Sequence, residues 1–388
     1  MRLLVFNPEH DYALADNRPQ YVTLRSAAQF AYDCAPFMRY LTEDEAVVLD
    51  AYHPFGKEFQ KKFSPMADAE RITKVTPWGW DTAVVYQLRR IGIPDALLPT
   101  DARLSKLREL AHRKTTLDAT TFLHNHHPHP ELLPAPPTLL TGLQQIEDFV
   151  KQIPDAIFKS PYSGNGRGHL YAHGTCSPTL LRQCAGVLNR QGSLLAEKQY
   201  TVVQDFAMEF TCQNGAVDFR GFSLFKTAHY GYAGNLLMPD REIVRTISQY
   251  IDIEEIEQTK ELVSDYLKQH IAPHYDGDAG VDMFVYQEYD NYKLHPFVEV
   301  NLRKTMGLAA HDIYERYCHP EARGTFRIAR REVRMRRDIG THGSVEMQNS
   351  ASLPTGQMQS RDGLWWSGTA VLNPVTPDTQ YAVVVELG

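Results

Sequence analysis

Only five cysteines occur in 388 residues (Cys34, Cys176, Cys184, Cys212 and Cys318), and no two form a Cys-x-x-Cys pair. That spacing argues against a disulfide-stapled scaffold, a zinc knuckle or a dithiol redox couple, and it fits a reducing compartment. Long apolar runs are missing as well. The opening Leu3 to Phe6 is too short for a signal-peptide core, and no segment approaches the ~18 apolar residues of a membrane span. Positive charge is not in excess: 40 Lys and Arg against 47 Asp and Glu leave −7, which argues against nucleic acid as the main partner. No internal repeat or low-complexity tract stands out. The expectation is a cytoplasmic protein of two or three domains, monomer or homodimer, away from membranes, whose default partners are small molecules.

The first hundred residues alternate between two periodicities. RLLVF, EAVVLDAY (45–52) and ITKVT (72–76) read as buried strands, with helical spacing over Ala27 to Leu41 and Asp81 to Ile91 and Asp81 as an N-cap. This pattern predicts a small open α/β domain with a parallel sheet. A helical stretch from Asp101 runs through TTLDATTFL into HNHHPHPELLPAPP, where five prolines in fourteen residues forbid a helix and mark a linker. Its histidines (His124, His126, His127 and His129) read as solvated loop residues rather than metal ligands.

From Ile157 the strands IFKSP, GHLYA, SLLAEKQ, FAMEFTC and VDFRGFSLF precede one amphipathic helix, about Ile253 to His270, then VDMFVYQ and HPFVEVN. A mostly antiparallel α+β domain is expected there. The tail has seven arginines between Arg323 and Arg337, where FRIAR alternates like a charged strand face, and closes on YAVVVEL. The boundaries drawn are 1–112, 113–195, 196–320 and 321–388.

Chemistry concentrates in FKSPYSGNGRGHLY (158–171). Its glycines, Gly164, Gly166 and Gly168, are followed by an alternating segment instead of a helix, which removes a dinucleotide fingerprint, and no Gly-Lys-Ser/Thr closes a Walker loop. What remains is a hairpin whose turn, with Ser163, Asn165 and Arg167, lets backbone N–H groups approach an anion. Lys159 on the strand leading in could reach an α or β phosphate. Taken alone, the run reads first as a solvent-exposed glycine-rich hairpin.

Downstream acids change the balance. Asp282 lies in GVDMFVYQ, Glu299 and Asn301 lie in PFVEVNLRKTMG, and the turn signal EYDNYK separates them. One hairpin would place Asp282 opposite Glu299, and the period of two puts Asn301 on the same face. Two carboxylates and a carboxamide, completed by phosphates and water, are a Mg²⁺ donor set, against the alternative of a salt-bridged strand pair.

In this order the residues resemble the ATP-grasp superfamily, over about residues 113 to 310. The resemblance implies an N-terminal open α/β domain followed by a two-subdomain ATP-grasp fold, with ATP and Mg²⁺ between the subdomains and the glycine hairpin over the phosphates. It implies that Glu197 in AEKQY accepts the adenine amino group, with backbone contacts from Lys198 to Tyr200. Asp205 would hold the ribose, with Gln204 and Glu209 as alternatives or a surface charge as the plain reading. A basic residue ahead of the linker, Arg113 or Lys114, would reach the phosphates. Arg303 resembles an arginine that steadies the transferred phosphoryl group or substrate carboxylate, with Lys226 as a second candidate. One departure is Gly280, where the dipeptide ligases carry arginine.

The implied activity is ligation of a carboxylate, activated by ATP as an acyl phosphate, to an amine or similar nucleophile. A phosphotransferase and a non-catalytic nucleotide-binding module are the alternatives. For the acceptor, Asn7, Glu9, His10 and Asp11 follow the first strand, where open α/β sheets collect ligands, although Asn-Pro can simply turn the chain and Asp11 can cap a helix. Trp78 and Trp80 in TPWGWD would pack on a substrate or serve as packing anchors.

Overall fold

The computed structural model of the chain describes residues 1–49, 69–164, 168–228, 231–331, 333–335, 347–349, 353–354 and 356–388. Asn165, Gly166 and Arg167 of the hairpin turn, the end of EAVVLDAY, and Arg336 and Arg337 lie outside these residues.

The first 110 residues form the expected parallel sheet. β1 (Arg2–Val5) lies between β2 (Ala46–Val48) and β3 (Lys74–Pro77). Around it stand α1 (His10–Asp16), α2 (Arg25–Cys34), α3 (Thr82–Arg90) and α4 (Asp101–Leu110). Asp81 caps α3, its Oδ1 accepting from the Val84 N–H at 2.8 Å. Helical spacing beyond Cys34 continues as a 3₁₀ segment, Ala35–Leu41, where Pro36 sits in the first turn and cannot donate to an α-helical ladder. The helix for which Asp11 was an alternative cap is α1, and it starts earlier: Glu9 takes the N-cap position and Asp11 lies inside the first turn, so Asp11 is not the cap.

α5 (Lys114–His126) follows a break after α4 and takes in His124 and His126, whose ring nitrogens reach the carbonyls of Pro134 and Phe122 at 2.9 and 2.8 Å. Next comes a four-stranded antiparallel sheet, order β4-β7-β5-β6, from β4 (Thr138–Leu140), β5 (Asp155–Lys159), β6 (His169–His173) and β7 (Leu194–Lys198). It is backed by α6 (Leu143–Gln152) and α7 (Pro178–Gln191), which bury Ile146, Val150, Leu180, Cys184 and Val187 against Phe158 and Ala196.

The remainder builds one nine-stranded sheet. β8 (Thr201–Gln213), β9 (Ala216–Ala228), β10 (Gly231–Leu237), β11 (Gly277–Glu288) and β12 (Asn291–Asn301) occupy one side. Three helices, α8 (Asp240–Ile247), α9 (Ile253–Tyr266) and α10 (Met306–Tyr317), punctuate them. From the tail, β13 (Gly324–Arg330), β16 (Gln357–Arg361), β17 (Leu364–Val371) and β18 (Tyr381–Leu387) continue the sheet, while β14 (Val333–Met335) and β15 (Met347–Asn349) pair with each other. Backbone N–H groups of Gln380 and Tyr381 donate to Asp33 of α2 at 2.8 and 3.0 Å, which ties the tail to the first domain.

Pleating sorts the large sheet. Phe206, Met208, Phe210, Val281, Met283 and Val285 face α8 and α9 and join Ile243, Ile247, Ile256 and Val263 in the main core. Asp205, Glu209, Asp282, Glu299 and Asn301 take the opposite face, because successive side chains on a strand alternate. Among the described residues, no helix is long and apolar enough to cross a membrane.

Candidate nucleotide and metal site

The β11–β12 register pairs Asp282 with Glu299 and Gly280 with Asn301. The three oxygen donors named from the hairpin pattern therefore share one patch. Asn301 Nδ2 donates to Asp282 Oδ2 at 3.2 Å, and Arg303 Nη2 donates to Asn301 Oδ1 at 2.9 Å. Burial, reinforced by the Glu299 charge, pushes the Asp282 carboxyl up to about 7. Two acids held this close favour a cation between them, and the set of hard oxygens fits Mg²⁺. Among the described residues, no group of three or more His, Cys, Asp or Glu that could by itself hold a metal ion occurs.

Arg113 closes one side of this patch. Its Nη2 reaches Glu299 Oε1 at 2.8 Å and the Ser163 carbonyl at 3.1 Å, and its Nε donates to the Ser160 carbonyl at 3.0 Å. The guanidinium thus joins the stem of the glycine hairpin to the acid ribbon. Its Nη1 is buried with no partner. A buried cationic donor left unpaired is costly, and an incoming anion such as phosphate would satisfy it. Lys114, one residue on, points away: it is half-buried and meets Glu109 at 3.6 Å.

The hairpin forms as the alternation implied, with Lys159 paired to His169 and Asp155 to His173. Gly168 has φ +93° and its backbone packs on Ser160 and Ser163, a conformation and a space that exclude a side chain. At the other end, Gly164 lies against the Asp11 carboxylate with no room for a Cβ.

Lys159 is buried, and its Nζ rests on Glu197 Oε1 instead of standing free. Burial, with repulsion from Arg113, lowers the Lys159 ammonium to about 7, while the Glu299 and Asp282 charges work to keep the proton on. Glu197 Oε2 also meets His295 Nε2 at 3.3 Å. Burial holds His295 neutral, well below its ordinary value, and its Nδ1 has no partner. Around this imidazole stand Phe284 and Tyr200, ring centroids 4.7 and 5.6 Å away, and Tyr200 packs on Tyr286 at 4.5 Å. An aromatic wall with a carboxylate at its edge is a natural place for a planar heterocycle.

Asp205, level with Phe284 in the β8–β11 register, faces this wall and accepts from Thr227 at 3.0 Å. Gln204 turns to the Asp205 carbonyl at 2.8 Å. The Lys198 side chain lies outside, bound to Glu288 at 2.7 Å, and Lys226 is exposed with no ion pair to any described residue. His169 and His295 carried no signal beyond their strand positions, and Glu209, an alternative for the ribose, is fully buried. Only the paired registers bring them to this face.

Glu209 is fully buried behind the acids, where Thr305 and Ser223 hydroxyls donate to it at 2.8 and 2.9 Å. Burial raises its carboxyl from the usual 4.5 to about 7. The folded state therefore binds the Glu209 proton more tightly than the unfolded chain. Its contribution to stability declines as pH rises from about 4.5 through about 7. Glu209→Gln is expected to remove that decline and melt higher than the parent at pH 8, by up to roughly 3 kcal/mol, with little difference at pH 4. Thermal melts across this range check it; an unchanged slope would contradict the assignment.

The first domain closes the cleft. Arg303 forks onto Asp11, Nε to Oδ1 at 3.2 Å and Nη2 to Oδ2 at 3.1 Å. Burial, the largest single influence, would raise the Asp11 carboxyl, but the Arg303 charge and hydrogen bond together with the His10 and Arg113 charges outweigh it and hold the group below its ordinary value. Trp78 is buried against Phe6 and Phe37, centroids 5.1 and 6.0 Å away, and acts as a packing anchor; Trp80 packs partly buried against two cores.

No protein-family model and no curated protein matches the sequence. Among solved structures, the biotin carboxylase of Campylobacter jejuni in complex with β,γ-ATP superposes with TM-score 0.53 at 12% identity, over 100% of this chain and 87% of that one. The biotin carboxylase domain of the Hydrogenobacter thermophilus 2-oxoglutarate carboxylase, a dimer with Mg·ADP, ADP and bicarbonate, gives the same TM-score and identity over 100% and 85%. The chain has the ATP-grasp fold. In this fold, Lys159, Arg113, Glu197, Asp282, Glu299, Asn301 and Arg303 stand between the four-stranded and nine-stranded sheets. Lys114, Lys198 and Lys226 send their side chains elsewhere.

Proposed function

We propose that the chain is an ATP-dependent ligase that activates a carboxylate as an acyl phosphate and joins it to an amine, releasing ADP and phosphate. The observation that carries this reading is the buried, unpartnered Nη1 of Arg113 beside the Asp282–Glu299 pair. An anion-seeking donor and a cation-seeking acid pair in one enclosure are what a Mg-bound triphosphate satisfies together. ATP and Mg²⁺ are the cofactors implied.

In this reading Asp282, Glu299 and Asn301 hold Mg²⁺, which when bound neutralises phosphate charge. Lys159 leaves Glu197 for the phosphates, and Glu197 is released to the adenine amino group beside Tyr200, Phe284 and His295. The Lys198 to Tyr200 backbone lines the base, and Asp205 takes the ribose. Ser163 and Gly168, at the two ends of the glycine turn, reach the phosphates. Arg303 exchanges Asp11 for the phosphoryl group or the substrate carboxylate. Positioning and charge neutralisation do the work, so no nucleophilic side chain is needed.

Incubation of the full chain with Mg·ATP and a metabolite pool tests it. ADP together with a new amide is expected. ADP with a phosphorylated alcohol would make it a phosphotransferase, and ATP held intact with every acceptor would make it a binding module.

A further inference from the structure

His10 opens α1 directly after β1, and Asp81 follows β3, the parallel neighbour of β1, so sheet pairing carries both to one edge. His10 Nδ1 lies 3.1 Å from Asp81 Oδ2, with each side chain 2% exposed. The carboxylate is fixed from two further directions: Oδ1 accepts from the Val84 N–H at 2.8 Å and Oδ2 from Asn7 Nδ2 at 3.1 Å. The ring itself lies on Gly79, where any Cβ would collide with it.

An ionised carboxylate only accepts, so this contact places a proton on Nδ1, and in the neutral ring the lone pair is then on Nε2. Nε2 bonds to no described group, and it is not among the buried atoms sealed without a partner. A histidine that merely tied loops together would use both nitrogens. His10 instead lines the cleft that also contains Asp11, Ser163, Glu299, Asn301 and Arg303. A ring nitrogen open to a cleft, with its opposite nitrogen held by a fixed carboxylate, is the arrangement of a general base and its orienting partner.

We propose that His10 is the catalytic base for the acceptor nucleophile, with Asp81 and Asn7 as positioning residues. This rests on the ligase reading above. The amine nitrogen attacks the acyl carbon, forming the C–N bond. The C–O bond to phosphate breaks, and phosphate leaves with the electron pair. The proton released from nitrogen passes to His10 Nε2, and the imidazolium is stabilised by Asp81 below and faces Asp11, itself paired with Arg303, on the cleft side.

Full-length His10→Gln and Asp81→Asn are compared with the parent in two reactions, using the carboxylate and amine found in the metabolite pool. In the first, hydroxylamine replaces the amine; it is unprotonated near neutral pH and needs no base, so hydroxamate reports acyl phosphate formation alone. Hydroxamate yield in His10→Gln should stay within about 3-fold of the parent while amide formation falls ~100-fold or more, and added imidazole should restore part of it. Asp81→Asn, which keeps the side-chain volume, should show the same split, and Mg·ADP binding should match the parent in both variants. Equal losses in the two reactions, or undiminished amide formation, overturn the assignment of His10. Absence of both products from the parent overturns the ligase reading instead, and this inference with it.

Discussion

Replacing Asp282 by asparagine is expected to stabilise the ligand-free protein and to cripple its binding of Mg·ATP. The Asp282 carboxyl, normally near 3.8, is lifted to about 7 by burial and the neighbouring Glu299 charge. Proton binding then favours the folded state between those values, and stability is lost as pH climbs through about 7. Asparagine removes the titration and the repulsion, a gain on the order of 2–4 kcal/mol at pH 8 that should vanish near pH 4. Loss of a charged ligand, worth ~3 kcal/mol, weakens Mg·ATP by about 100-fold. Thermal melts at the two pH values and calorimetric titration with Mg·ATP measure both effects. An unaltered titration curve would remove the metal site from the proposal.

Arg113→Ala should act in the opposite direction on stability. The truncation strands the carbonyls of Ser160 and Ser163 and leaves Glu299 beside Asp282 without its counter-charge. A loss of about 3 kcal/mol is expected, together with nucleotide binding too weak to titrate. Arg113→Lys keeps the charge but not the fork, and should recover less than half of either quantity because one ammonium cannot span hairpin stem and acid ribbon at once. Denaturant unfolding and calorimetry decide this. Full rescue by lysine would mean that charge alone matters at this position.

These two residues differ in how readable they were. Asp282, Glu299 and Asn301 could be placed from the sequence because a hairpin with a turn at EYDNYK sets its register locally, and the side-chain period of two does the rest. The Lys159 hairpin was readable for the same reason. Arg113 and Lys114 were not separable, since adjacent residues at the start of α5 leave the backbone in different directions and only the stem at Ser160 and Ser163 selects one of them. Glu209 sits in FAMEF like any polar residue of a half-exposed strand, and it is buried because α10 and Thr305 arrive from almost a hundred residues away.

Residue order alone determined which acids would face each other across β11 and β12 and that Lys159 would lie on a hairpin strand leading into a glycine turn. Those properties follow from covalent geometry and short-range pairing. The tertiary structure decided which charges share a low-dielectric space: Lys159 with Glu197, Arg303 with Asp11, His10 with Asp81. Burial of a charge is a property of whatever packs over it: Lys159 and Glu197 lie on paired strands of one sheet and His10 and Asp81 follow paired strands of another, whereas Arg303 and Asp11 meet only where the first domain closes on the end of the nine-stranded sheet.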